Sequence, residues 1–326
     1  MAKFIIRIGQ SNMAPHETTA NLQAGYKQTY TAIQTWNGSA YASLDWTTNN
    51  NGYPQASSLF SGEFSLLSKI QAHWGETIYD IKLARGGTYL GTAISPSVNW
   101  NTATQGSYYD ELISTINNAL AYAWNTLGIR EYDFYIFYCQ GESDTRSTTD
   151  ANNFETNYTN IVNGVRDALA GSVLSDSKKY WITLKTNTNI KSSGDGATIT
   201  GATNASPIKI TTSAVHSLIT GMQVNITGVT GNTAANGSFP IIVTSTTEYT
   251  LTGSTGDGAY ISGGEANSWS LSSTVNTAQE NVTNTLLNCY SVNCEAFSLT
   301  DFLHYDATGY DDLGDAGANV IINNNL

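Results

Sequence analysis

Residues 132–144 read YDFYIFYCQGESD. From Tyr132 to Cys139 the only charged residue is Asp133; the rest are aromatic, Ile or Cys. Such side chains suit a pleated strand. A run without polar alternation suits a strand covered on both faces, as in the middle of a parallel sheet. Open sheets of that kind build their sites just beyond the carboxyl ends of the strands. The polar tail Gln140-Gly141-Glu142-Ser143-Asp144 therefore predicts chemistry at this tip.

Strand and helix patterns alternate around this run. Residues 3–8 predict a strand. Glu63 to Trp74 predicts a helix, with Phe64, Leu67, Ile70 and Trp74 on one face. Thr77 to Leu83 predicts a strand ending before Gly86-Gly87, and Tyr108 to Leu127 a helix closed by Gly128. Phe154 to Leu169 predicts a helix ending near Gly171, and Tyr180 to Lys185 another strand. Helical periodicity then stops. From 194 to 264, β-branched runs at 208–212, 223–226, 241–244 and 249–251 are separated by Gly, Asn and Ser turns. That stretch predicts an inserted all-β module. Beyond it, Leu271 to Leu287 predicts a helix, residues 295–297 a short strand and Ala307 to Ile322 a last helix. The expected organisation is an α/β domain of residues 1–193 and 265–326, interrupted by a β module at 194–264.

Composition narrows the function classes. The 326 residues hold 14 basic and 26 acidic side chains, a formal charge of −12. Scattered cations on an acidic chain argue against nucleic acid. No apolar run is long enough for a membrane span. The 40% hydrophobic content supports a sizeable core and excludes global disorder. Charged residues are only 12%, with Asn, Thr, Ser and Gly in their place. That texture is common among extracellular and virion β-rich proteins. Met1-Ala2-Lys3 leads straight into the first strand, too short a run for a secretory leader. The expectation is a cytosolic chain, one exported without a Sec signal, or one assembled onto a particle. Cys139 reads as a buried thiol, while Cys289 and Cys294 are close enough in sequence to form a small disulfide, a pairing that spacing leaves open. With no CxxC pair and four scattered histidines, no metal site is expected.

Three blocks follow strand ends. Gly9-Gln10-Ser11-Asn12-Met13 places a serine at the first tip, although it is not a G-x-S-x-G elbow. A loop serine without function is an equal reading of that block alone. Lys82-Leu83-Ala84-Arg85-Gly86-Gly87-Thr88 offers paired glycines whose N–H groups could stabilise an oxyanion; a plain turn fits as well. Arg85 suits an ion pair, or an acidic sugar. In the third block Gln140 could donate to an oxyanion, and Glu142 could orient Gln140 or meet substrate. Asn12 is expected to contact substrate or support the site. Near the far end, Asp301 and His304 are three residues apart, so the carboxylate can hold the imidazole tautomer while the other ring nitrogen takes a proton from Ser11. Asp306 is a rival orienter. His16, His73 and His216 look less apt.

Taken together, GQSNM, KLARGGTYL, QGESD and DFLHYDATGYDDLG, in that order over residues 9–314, resemble the SGNH-hydrolase superfamily, nearest its sialate O-acetylesterase and acetylxylan-esterase-like carbohydrate esterases. The resemblance implies a three-layer α/β/α fold with a mostly parallel sheet, and ester hydrolysis without metal or cofactor. It implies Ser11 as nucleophile, His304 as base and Asp301 as orienter, with oxyanion donors from Ser11, Gly86 or Gly87 and the Gln140 side chain. Cys139 stands where the family often has an aromatic. The 194–264 stretch resembles small β modules of phage tail and virion proteins. The implied function is removal of O-acetyl groups from a bacterial surface polysaccharide, on a phage virion, with other tail proteins and self-association as candidate partners and neither nucleic acid nor membrane. One alternative is a silent receptor-binding protein whose loops at Trp36–Tyr53 and Trp100–Tyr109 stack on sugars; another is a structural virion component.

Overall fold

A computed structural model describes residues 1–47, 59–170, 177–190, 197–301 and 303–326. The expected helix end at Gly171 and module start at 194 lie outside them.

In chain order the strands are β1 (Ala2–Gly9), β2 (Glu17–Thr18), β3 (Thr29–Trp36), β4 (Tyr41–Asp45), β5 (Leu59–Phe60), β6 (Ile78–Ala84), β7 (Tyr132–Cys139), β8 (Lys179–Leu184), β9 (Ile199–Ala202), β10 (Ile208–Thr212), β11 (Gln223–Thr227), β12 (Gly237–Ser245), β13 (Glu248–Leu251), β14 (Glu265–Asn267) and β15 (Cys289–Val292). The helices are α1 (Glu63–Trp74), α2 (Tyr108–Asn125), α3 (Thr148–Ala170), α4 (Ser272–Thr285) and α5 (Ala307–Asn324).

The main sheet has the order β15-β8-β7-β1-β6-β3-β4. Every neighbouring pair is parallel except β3 with β4. Strand alternation splits the core in two. Phe4, Ile6 and Ile8 join Phe134, Ile136 and Tyr138 under α2, α3 and α4. Ile5, Tyr135 and Phe137 face α1 and α5 on the other side. Thus the three-layer α/β/α architecture is present, and β7 is buried along its whole length. The sequence expectation missed β3 and β4 and placed the last strand at 295–297 rather than 289–292. Alternating Cys residues around β15 reach opposite faces: Cys289 packs with the first core and Cys294 with the second. All three cysteines are free thiols.

Residues 199–267 form a second, antiparallel sheet ordered β14-β11-β12-β13-β10-β9. It has its own core, built on Ile208, Ile210, Val224, Ile226, Tyr249 and Leu251. Its last strand lies just past the expected end at 264. The Ile199 N–H donates to the Gly264 carbonyl (3.1 Å), so the sheet begins and ends at one place. Ile94 of the α/β part packs against this second core, and Thr148 donates to Gln223 (3.1 Å).

Candidate active site

Three strand tips coincide. In register, Gly9 of β1 pairs with Ala84 of β6 and with Cys139 of β7. The tips crowd together: a Cβ on Gly9 would sit 2.1 Å from the Cys139 carbonyl oxygen. All three polar blocks therefore leave the sheet side by side. The first turns back at once, as Met13 and Ala14 donate their N–H groups to the Gln10 carbonyl (3.0 and 2.8 Å).

Asn12 ties this turn to the far end of the chain. It is 2% exposed. Its Nδ2 donates to Glu142 Oε1 (2.7 Å) and to the Leu303 carbonyl (3.2 Å), while its Oδ1 accepts from the Tyr305 N–H (3.4 Å). The residues on either side of His304 are thus bound to the residue after Ser11.

His304 is held by Asp301, with Nδ1 and Oδ2 2.7 Å apart. Asp301 Oδ1 also accepts the N–H groups of Leu303 (3.1 Å) and His304 (2.6 Å). Burial works against the Asp301 carboxylate, but these hydrogen bonds win and hold it below its ordinary range. With Nδ1 engaged, Nε2 is the nitrogen left to act as base. Asp306, the rival carboxylate, instead caps α5 by accepting the Gly309 N–H (2.8 Å). No hydrogen bond joins Ser11 Oγ to the His304 ring in this resting arrangement. Catalytic contacts often tighten only around substrate.

Gly86 faces the serine, since a Cβ added there would lie 3.7 Å from Ser11 Cβ. The N–H groups of Ser11, Gly86 and Gly87 have no partner among the described residues. Arg85 is turned aside: it pairs with Glu111 (2.7 Å) and lies over the Tyr108 ring.

Gln140 differs from expectation. It is 1% exposed. Its Nε2 donates to the Thr88 carbonyl (2.8 Å) and reaches Asp144 Oδ2 (3.5 Å) rather than pointing to an oxyanion. The physical reason is the buried loop 88–91, whose backbone groups must find partners. Asp144 serves the same loop by accepting the Leu90 and Gly91 N–H groups. Burial raises the Asp144 carboxyl to about 7 although those donors oppose it. Glu142 bonds Asn12, not Gln140, and at 2% exposure it is an internal support rather than a substrate contact. Burial pushes its carboxyl up against the Asn12 hydrogen bond. Trp36 and Trp100, which open the two loops expected to stack on sugars, are core residues, and Trp100 Nε1 donates to Thr88 Oγ1 (2.8 Å); residues 48–53 of the first loop lie outside the described residues.

Sequence reasoning passed over His16. Its ring stacks on His304, with centroids 3.8 Å apart and planes 23° apart. Burial first, then the neighbouring His304, lowers its pKa. Only the nearness of His16 to the first block could have signalled this.

Solved structures and one family model are similar to this chain. A protein from Arabidopsis thaliana, 14% identical, shares the fold with a TM-score of 0.55 over 99% of this chain and 98% of that one. A carbohydrate acetylesterase from Sinorhizobium meliloti matches at 9% identity and TM-score 0.44, over 98% of this chain and 99% of that one. An aryl esterase from M. smegmatis matches at 9% identity and TM-score 0.46, over 99% of each chain. No curated protein matches by sequence. The family model described as "Carbohydrate esterase, sialic acid-specific acetylesterase" matches residues 2–176, more than half of the chain, including the first three polar blocks. The chain therefore belongs to the sialic acid-specific acetylesterase family of carbohydrate esterases.

Proposed function

We propose that Ser11, His304 and Asp301 carry out O-acetyl removal from carbohydrate by a serine mechanism. The observation that carries this reading is the 2.7 Å Asp301–His304 pair, bound through Asn12 to the turn holding Ser11. Ser11 Oγ attacks the acetyl carbonyl while His304 Nε2 takes its proton. The oxyanion is met by the N–H groups of Ser11 and of Gly86 or Gly87. His304 then protonates the departing sugar oxygen. Water, activated by the same nitrogen, releases acetate and frees Ser11. Gln140, Asp144 and Glu142 hold the loops in place around this chemistry.

The substrate we propose is an O-acetylated bacterial surface polysaccharide, with the chain as part of a phage virion. Support comes from the Gly-, Asn- and Thr-rich second sheet, and from Val215, Ile219, Ile242 and Ile261 exposed on that part of the chain as an attachment surface.

The test is acetate release from p-nitrophenyl acetate and from acetylated glycans. Ser11→Ala is expected to lower kcat by about 10⁶-fold and Asp301→Asn by about 10⁴-fold. A serine-directed organophosphate should leave one adduct, on Ser11, by mass spectrometry. Equal rates in wild type and Ser11→Ala would remove Ser11 from the mechanism. Glycan binding with no turnover would favour the silent receptor-binding alternative.

A further inference from the structure

We propose that His16 is a positioning residue of the esterase: stacked on His304, it holds the plane of the base and covers one face of the imidazolium formed during turnover. The inference rests on the serine mechanism proposed above for its effect on rate, and on geometry for the contact itself. The ring centroids are 3.8 Å apart and the planes 23° apart. The His16 ring makes no hydrogen bond among the described residues, so the stack is the contact that orients it.

Asp301 holds the Nδ1 edge and the backbone N–H of His304, and Asn12 holds the backbone at Leu303 and Tyr305. The last torsion of a histidine is broad, so these bonds leave the ring able to tilt and carry Nε2 away from the Ser11 hydroxyl. A flat ring against one face removes that freedom. His16 lies five residues beyond Ser11, after the buried Met13, Ala14 and Pro15. Its N–H donates to the Phe60 carbonyl (3.0 Å), and Glu17 and Thr18 go on to pair with Phe60 and Leu59. The anchored segment that presents the nucleophile thus also sets the plane of the base.

The stack suits a base that becomes a cation. Once Nε2 has taken the Ser11 proton, His304 is an imidazolium, which a neutral aromatic face attracts and a charged one repels. The charged or titratable groups facing His16 are His304, Asp301 and Glu17. Burial and His304 outweigh the two carboxylates and lower the His16 pKa, which keeps its ring neutral near pH 7. Asp301 and Glu142 face His304 as well. The His304 side chain is only 15% exposed, and trimming His16 would open one of its faces to water.

The experiment has a kinetic arm and a spectroscopic arm. His16 is exposed, so substitutions there should fold. On p-nitrophenyl acetate, His16→Ala should lower kcat about 5-fold or more while KM stays within about twofold of wild type. His16→Phe, which keeps a flat ring and has no titratable nitrogen, should bring kcat back to within about twofold of wild type. By NMR, the ring protons of His304 in Ser11→Ala should shift when His16→Ala is added and the ring current is lost. Wild-type kcat in His16→Ala, or a His16→Phe as slow as His16→Ala, overturns the proposal. So does a His304 spectrum that the loss of His16 leaves unchanged. If wild type shows no esterase activity at all, the serine mechanism fails, and the spectra still decide the stack.

Discussion

Asn12 does more than its neighbour Ser11 to make the site a unit, because its one amide bonds two separate segments, at Glu142 and at Leu303–Tyr305. Asn12→Ala would leave the buried Glu142 carboxylate without its side-chain partner. A stranded buried acceptor costs about 1–3 kcal/mol, more for a charged one. The expected result is a loss of that size in urea unfolding, with kcat falling more than KM rises, because the base moves before the binding surface does. A second residue-scale prediction concerns Lys82, whose Nζ is fully buried without a hydrogen-bond partner among the described residues. Burial lowers this amine from 10.5 to about 7, against the pull of Glu63 and Asp80. Between those values the unfolded chain binds more protons, so wild-type stability rises with pH across that window. Lys82→Met removes the penalty. Its gain should reach a few kcal/mol near neutrality, at about 1.4 kcal/mol per unit, and shrink toward pH ~10. Urea melts at both ends of the window check this, and a gain that grows with pH would contradict it. At this scale residue types were legible from the sequence while partners were not. Ser11, Asp301 and His304 stood out by local spacing. The Glu142–Asn12 bond spans 130 positions, and the His16–His304 stack depends on a fold that brings opposite ends of the chain together.

Among the elements, the joint ending of β1, β6 and β7 positions everything else. Gly9 is where that ending is tightest, with space for a hydrogen but not a methyl. Gly9→Ala must push β1 from β7 or tilt the Ser11 turn. We expect a stability loss of about 3 kcal/mol or more, with acetate release falling further than the unfolded fraction explains. Denaturant midpoints paired with active-site titration separate the two effects. Long, strongly patterned elements were readable: β7 from its unbroken apolar run, α1 and α2 from helical spacing. β3 and β4 were not. β3 is half exposed, and its pairing with β4 shifts register between Tyr30 and Gln34, so neither strand carries a clean period. Helix α3 begins at Thr148, six residues before the anchor Phe154, and its buried Asp150 accepts the N–H groups of Ala93 and Ile94 in the neighbouring loop.

Over the whole molecule, the second sheet reads as an independent folding unit, and we propose it as such. Its entry and exit meet at Ile199 and Gly264, the arrangement in which one domain can be set into another without strain. Replacing residues 197–267 by a short Gly/Ser linker should leave the α/β part folded. The cost should be about 1–3 kcal/mol, from baring Ile94. Hydrolysis of p-nitrophenyl acetate by this variant should stay within about twofold of wild type, while loss from an assembled particle would identify the sheet as an attachment element. A collapse of small-ester hydrolysis in a folded variant would place the second sheet in the catalytic machinery instead. No helix among the described residues is long and apolar enough to cross a membrane.

The clasp between Asn12 and the Leu303–Tyr305 segment has a consequence for synthesis. Ser11 and His304 lie 293 positions apart, so a ribosome delivers the proposed nucleophile long before the proposed base. Closing so long a span costs little more entropy than closing a shorter one, but it cannot begin until the final helix has emerged. On the proposed mechanism the nascent polypeptide is chemically mute until the 301–305 segment appears, and competence arrives in a single step when that segment docks.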